Sequence, residues 1–320
     1  MRDILRYKFA VIGQNKAYAI VLASLFLGLF VFFMVIFALP KGASVDYDLN
    51  QWLTRYQTAL DVLRENYQDG AISRNRFESE KAVYEFFLST KTAEWMYLKL
   101  GSNIADREFA CGCYTFAMRF FLVYCCAFGI IGGNFAFAGD FSSGRIKNIW
   151  SVKRRGKSLF TRFYFIFFPL FLVPVILLFL FLSMGAVPVW GERTYAQIGS
   201  LVYSSFIGEN LLALLFFGVA EFFLFFSLSS LVGMASKNMM VGVLTPLLIV
   251  AICLAEGYFF GSSSFPGEAG WQLSVIPFAS LIYLPQFGVS PWIFFWIGVY
   301  LLLGAIFYVL GRRVYAKKAI

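Results

Sequence analysis

Few residues in this 320-residue chain are able to do chemistry, and their types exclude most enzymes. There is no histidine, which removes Ser-His-Asp triads, Cys-His pairs and HExxH zinc hydrolases. No glycine-rich phosphate loop ending in Lys-Ser or Lys-Thr is present, so the chain does not bind ATP in the P-loop manner by itself. The cysteines Cys111, Cys113, Cys125, Cys126 and Cys253 lack the spacing and polar company of a zinc site and read as small packing residues. No catalytic set and no metal site is expected. What remains is Arg119 and Glu221, each inside an apolar run, and one dense basic segment, 139–162. A charge near the centre of a bilayer costs at least about 2.5–3.5 kcal/mol, so Arg119 and Glu221 must face protein or water. They are candidates for a mutual ion pair, for hydrogen-bonded anchors, or for lining a translocation path. Glu209 and Glu256 sit near the ends of their runs, where placement at the interface explains them.

The elements that must position these residues are membrane helices. The chain is 60% hydrophobic and 20% aromatic with only 14% charge, and it carries 40 Phe. Its apolar runs are long enough to cross a hydrocarbon core of about 30 Å, which takes about 20 helical residues. Six stand out: Tyr18 to Leu39, Phe109 to Ala138, Phe163 to Met184, Gly208 to Ala235, Met239 to Phe260 and Trp292 to Gly311. In hydrocarbon each satisfies its backbone groups only as a helix, and the alternation of a transmembrane barrel is absent. Pro169, Pro174 and Pro246 inside the runs suggest kinks. The first run is too long for a signal-peptide core and no small-residue cleavage pattern follows Pro40, so it is taken as a membrane helix.

Charge sets the orientation. With six spans, Arg2, Arg6, Lys8 and Lys16, the basic segment 139–162, Lys237, and Arg312, Arg313, Lys317 and Lys318 all fall on one side, which is expected to be the cytoplasm. Both termini then lie inside, in the cell membrane. The formal charge of +9 follows from this bias, and nucleic acid is not an expected partner. The remaining segments follow: an amphipathic amino-terminal helix at 1–17, in which Ile4, Leu5, Phe9, Val11 and Ile12 interleave with basic residues, an extracellular domain at 40–108, an extracellular loop at 185–207, and a cytoplasmic tail at 312–320. Within 40–108, Trp52, Tyr56, Leu60 and Leu63 recur at helical spacing, as do Tyr84, Phe87, Leu88 and Trp95 after the break at Asp69-Gly70, which predicts a helical hairpin. The stretch 261–291 is too apolar for an exposed loop and is broken by Pro266, Pro277 and Pro285. Two short helices dipping into the outer leaflet fit it.

The cytoplasmic connection after the second span is the most informative stretch. Asp140 or Ser142 is placed to cap a helix on which Ile146, Ile149 and Trp150 share one face and Arg145 and Lys147 another, followed by Lys153-Arg154-Arg155-Gly156. Such a greasy wedge suits a groove on a cytoplasmic partner. An ordinary basic loop resting on lipid head groups is the alternative.

This segment resembles the coupling helix of the type-2 ABC export permeases, with Asp140, Gly144, Ile146, Ile149 and Arg155 in matching places and Trp150 beside them. The architecture is similar over the whole chain: an amino-terminal elbow, six spans and a re-entrant segment before the last. The resemblance implies an all-α membrane fold and a permease subunit that is not itself an enzyme. It also implies docking on cytoplasmic ABC ATPase subunits that bind the ATP and Mg, and pairing with an identical or similar permease chain within membrane lipid. The expected cargo is amphipathic or hydrophobic: a peptide, toxin, drug or lipid. A non-transporting sensor or immunity protein using the outer hairpin, and an ion-coupled carrier using Glu221, are the rival readings.

Overall fold

A computed structural model of the chain describes residues 48–93, 109–138, 156–198, 201–261 and 289–317, with the isolated positions 23, 27, 28 and 96. The expected elbow at 1–17, most of the first span, the wedge 139–155 and most of 261–291 lie outside the described residues. The chain is mostly helical, and among the described residues four helices are long and apolar enough to cross a membrane: a membrane-embedded helical protein.

Two amphipathic helices come first, α1 (Leu49–Gln68) and α2 (Arg74–Thr90). The Asp48 carboxylate accepts from the Asn50 backbone N–H at 3.0 Å and begins α1, and the Ser73 hydroxyl accepts from the Arg76 N–H at 3.4 Å and begins α2. Between them Gly70 adopts φ +72°, a left-handed turn that a side chain would oppose. The helices pack through Tyr56, stacked on Phe87 at 5.2 Å, and through Tyr67, stacked on Phe77 at 4.4 Å. Charged residues keep the outer surface wet: Arg76 Nε donates to Glu80 at 2.7 Å, a pairing that holds the guanidinium proton more tightly than usual.

The membrane bundle follows. Helix α3 (Phe109–Gly133) ends in a π-helical turn, Asn134–Ala138. Helix α4 (Gly156–Gly185) starts two turns before the apolar run Phe163 to Met184 and carries Pro169 and Pro174 within it. Helix α5 (Ile207–Ser236) packs against α3, α4, α6 (Met239–Gly261) and α7 (Trp292–Lys317) and is the axis of the bundle. Its burial on nearly all sides explains why the sequence shows no polar face there. Helix α7 runs past Gly311 to Lys317, because Arg312, Arg313 and Lys317 are good helix formers whose charges can extend beyond the apolar layer.

Small residues let the helices approach closely, as expected where lipid supplies no hydrophobic drive for association. A Cβ on Gly129 would sit 3.0 Å from the Phe222 carbonyl oxygen, and Gly133, four residues on, lies directly against the Phe226 carbonyl. Gly218 of α5 makes room for Phe121 and Cys125 of α3. Gly242 of α6 meets Gly233 of α5.

The connection 185–207 differs from the loop expected there. After a 3-10 turn at Val187–Val189 it forms an antiparallel ribbon, β1 (Arg193–Ile198) and β2 (Leu201–Phe206), with Arg193 opposite Phe206 and Ile198 opposite Leu201. The Arg193 guanidinium lies over the Phe206 ring at 4.9 Å, a cross-strand pair that fixes the register. The ribbon docks on α2: the Phe87 ring meets Tyr195 edge-on at 5.3 Å, and the Gln197 amide donates to the Ser79 carbonyl oxygen at 2.8 Å. These contacts put the α1–α2 pair at the same end of the bundle as the α4–α5 connection. Because the Gln197 bond is exposed, Gln197→Ala is expected to cost under about 1 kcal/mol globally, yet to speed amide hydrogen exchange in β1 and β2 selectively.

Candidate functional site

The bundle has two chemically different ends. At the ribbon end, Asn210 of α5 donates to the Tyr114 hydroxyl of α3 at 3.0 Å, and the nearby charges are mixed: Glu192, Arg193 and Glu209. The opposite end gathers the carboxyl end of α3, the start of α4, the α5–α6 turn and the end of α7. Its described charges are Arg162, Lys237, Arg312, Arg313 and Lys317, with no acid among them. The long connection 139–155 leaves and re-enters the bundle at this cationic end.

Three helices are knotted together where that connection begins. The Asn134 amide donates to the Met239 carbonyl oxygen at 2.9 Å and ties the π turn to the start of α6. A π turn displaces the i to i+4 ladder, and two α5 hydroxyls reach the carbonyls beside it. Ser229 Oγ lies 2.6 Å from the Ile130 carbonyl oxygen and 2.9 Å from that of Gly242, while Ser230 Oγ lies 3.1 Å from that of Gly133. Hydrogen bonds between membrane helices contribute about 0.6 kcal/mol each on average, so they align the knot and close packing supplies most of its stability.

An aromatic hub backs the knot. Phe137, within the π turn, touches the rings of Phe160 and Tyr164 of α4, Phe226 of α5 and Tyr315 of α7, at centroid distances of 4.6, 6.3, 6.5 and 6.2 Å. The Tyr164 hydroxyl reaches Ser227 of α5 at 2.6 Å, and Tyr308 of α7 donates to Thr161 of α4 at 3.2 Å. Displacing the π turn therefore disturbs four helices together.

Of the site residues expected from sequence, Asp140, Gly144, Ile146, Ile149, Trp150 and Arg155 lie outside the described residues. Arg119 and Glu221 are described, and no ion pair joins them. Arg119 is partly buried on α3, with a buried Nε that lacks a hydrogen-bond partner among the described residues. Glu221 is 0% exposed, and neither carboxyl oxygen has a hydrogen-bond partner among the described residues. Arg119 lies six and seven residues before Cys125 and Cys126, so about 10 Å along α3 separates it from the level of the acid. Cys125 and Cys126 are not in disulfides, and among the described residues no group of three or more His, Cys, Asp or Glu is placed to hold a metal ion.

Asn134, Ser229, Ser230 and Phe137 were not picked out from sequence. The signals were present: glycines four apart at Gly129 and Gly133, an amide immediately after them, and paired serines in an apolar helix. The chain matches no protein-family model, no curated protein and no solved structure.

Proposed function

We propose that this chain is the permease subunit of an ATP-driven exporter. It crosses the cell membrane six times with both termini in the cytoplasm, and the α1–α2 pair stands outside as a helical domain. Two such chains, or this one with a similar partner, enclose the path for an amphipathic or hydrophobic cargo. Separate ABC ATPase subunits bind and hydrolyse ATP with Mg.

The observation that carries this reading is the cationic end of the bundle. Segregated positive charge is characteristic of a cytoplasmic face and supports that orientation. At that face, the segment carrying Asp140, Gly144, Ile146, Ile149, Trp150 and Arg155 is strung between the knotted end of α3 and the start of α4. A displacement of that segment by an ATPase would be delivered to the π turn, and from there to α4, α5, α6 and α7 through Asn134 and Phe137. Energy released in another subunit thus has a direct mechanical route into the membrane.

The test is a pull-down followed by an ATP-turnover assay. Ile149→Asp combined with Trp150→Asp is expected to abolish association with the ATPase and the turnover that depends on it, while leaving the permease in the membrane. Unchanged association and turnover in the double variant would contradict the proposal.

A further inference from the structure

Glu221 lies midway along α5, the central helix of the bundle, with both carboxyl oxygens buried and without a hydrogen-bond partner among the described residues. One turn before it, Gly218 abuts Phe121 and Cys125; Phe222, the next residue, and Phe225, one turn after it, abut Gly129. The acid is therefore level with Cys125 and Cys126 of α3. Cys126 packs with Ile130 and Phe225 in a cluster completed by Val243 and Val250 of α6. The carboxyl thus belongs to the seam where α3, α5 and α6 meet.

Among the described residues no counter-charge faces it there. Helices α5 and α6 contain no Lys or Arg, and the only cation of α3 is Arg119, about 10 Å farther along that helix. From α3 the seam presents the Cys125 and Cys126 thiols. From α6 it presents Cys253, whose Sγ is 2.7 Å from the Ile249 carbonyl oxygen. The other helices against α5 bring Tyr164, which bonds to Ser227, and Tyr300, whose ring packs on Phe217 at 5.2 Å. Thiols are weak donors, and an isolated carboxylate in such a seam carries its full desolvation cost. Neutralising the group removes most of that cost.

We infer that Glu221 is a proton-binding site: in the closed bundle its carboxyl is the neutral acid, and separation of α3, α5 and α6 lets it release the proton to water. The O–H bond breaks heterolytically, the carboxylate remains on Glu221, and the proton leaves as hydronium. The seam closes again only after the carboxylate has taken a proton back. Binding of the proton does not depend on the exporter reading. If the chain is the exporter proposed above, each opening and closing of the seam exchanges one proton, and alkaline conditions slow the return to the closed bundle.

Infrared difference spectroscopy of the full chain in lipid nanodiscs tests the site without any ATPase present. At neutral pH the wild type is expected to show the carbonyl band of a protonated carboxylic acid, and Glu221→Gln to lack it. Glu221→Asp, a shorter acid in the same seam, is expected to shift the band, which keeps the test decisive if the Gln variant does not fold. Absence of a band from the wild type, or an identical band in every folded variant, overturns the inference.

Thermal unfolding gives a second readout. A folded state that keeps a proton the unfolded chain loses is destabilised as pH rises, so the melting temperature of the wild type falls as pH rises above the ordinary carboxylate range, whereas that of Glu221→Gln falls less. Equal pH dependence in the two overturns the inference. A proton site that passes both tests in a chain that recruits no ATPase would leave the inference standing and the exporter reading refuted.

Discussion

Truncating Phe137 to alanine is expected to cost about 3 kcal/mol of bundle stability, the lower end of the range for removing a buried phenylalanine side chain. The ring is 0% exposed and touches aromatic side chains from α4, α5 and α7, so its loss leaves a cavity that one rotamer change cannot fill. The lower end applies because the helices remain in lipid when they separate, and less of the lost contact becomes exposed to water. Denaturant titration in mixed micelles reads the loss directly. Phe165→Ala is the control, because that ring projects outward at 70% exposure and is expected to change stability by less than about 0.5 kcal/mol. Equal effects at the two positions would mean that the hub does not hold the bundle.

Gly133→Val is expected to be at least as damaging, costing about 3 kcal/mol through overpacking. Its Cβ would be driven into the Phe226 carbonyl oxygen, which is helical backbone and cannot move aside as a side-chain tip can. Relief requires α3 to pull away from α5, which breaks the Ser230 contact to Gly133 and strains the Asn134 bond to Met239. Heating in detergent and following the folded fraction by fluorescence-detected size exclusion is expected to show a lower melting temperature and a smaller folded yield. At Gly298 an added Cβ meets nothing within 4 Å, so Gly298→Val should cost no more than the propensity change within a helix.

The membrane helices were legible in the sequence because lipid imposes a length and a composition that water does not. The turn between α1 and α2 was legible for a local reason: Asp69-Gly70 marks a place where only glycine adopts the required φ readily. Other parts depend on what lies across from them. The ribbon at Arg193–Phe206 was read as a loop, since its strands are short and half exposed, although Thr194, Tyr195, Val202 and Tyr203 favour strands and Gly199-Ser200 between them is a hairpin signal. The strand content follows from docking on α2, which no local pattern reports.

The candidate site divides in the same way. Glu221 stood out because a charge in an apolar run is rare, whereas pairing with Arg119 depended on depth, and the two lie at different levels of the bundle. Asn134, Ser229 and Ser230 look ordinary in one dimension. They become a site because glycines let three helices meet at their level, a property of the pair of surfaces and not of either sequence segment.

The central claim is that a separate nucleotide-hydrolysing subunit grips the segment between α3 and α4. A photo-crosslinking amino acid at Trp150, activated in native membranes in the presence of a radiolabelled azido-ATP, tests it most directly. The account predicts an adduct between this chain and a cytoplasmic subunit that carries the nucleotide label. No labelled adduct from Trp150, or modification of a cysteine placed there by a membrane-impermeant maleimide applied outside intact cells, would contradict it.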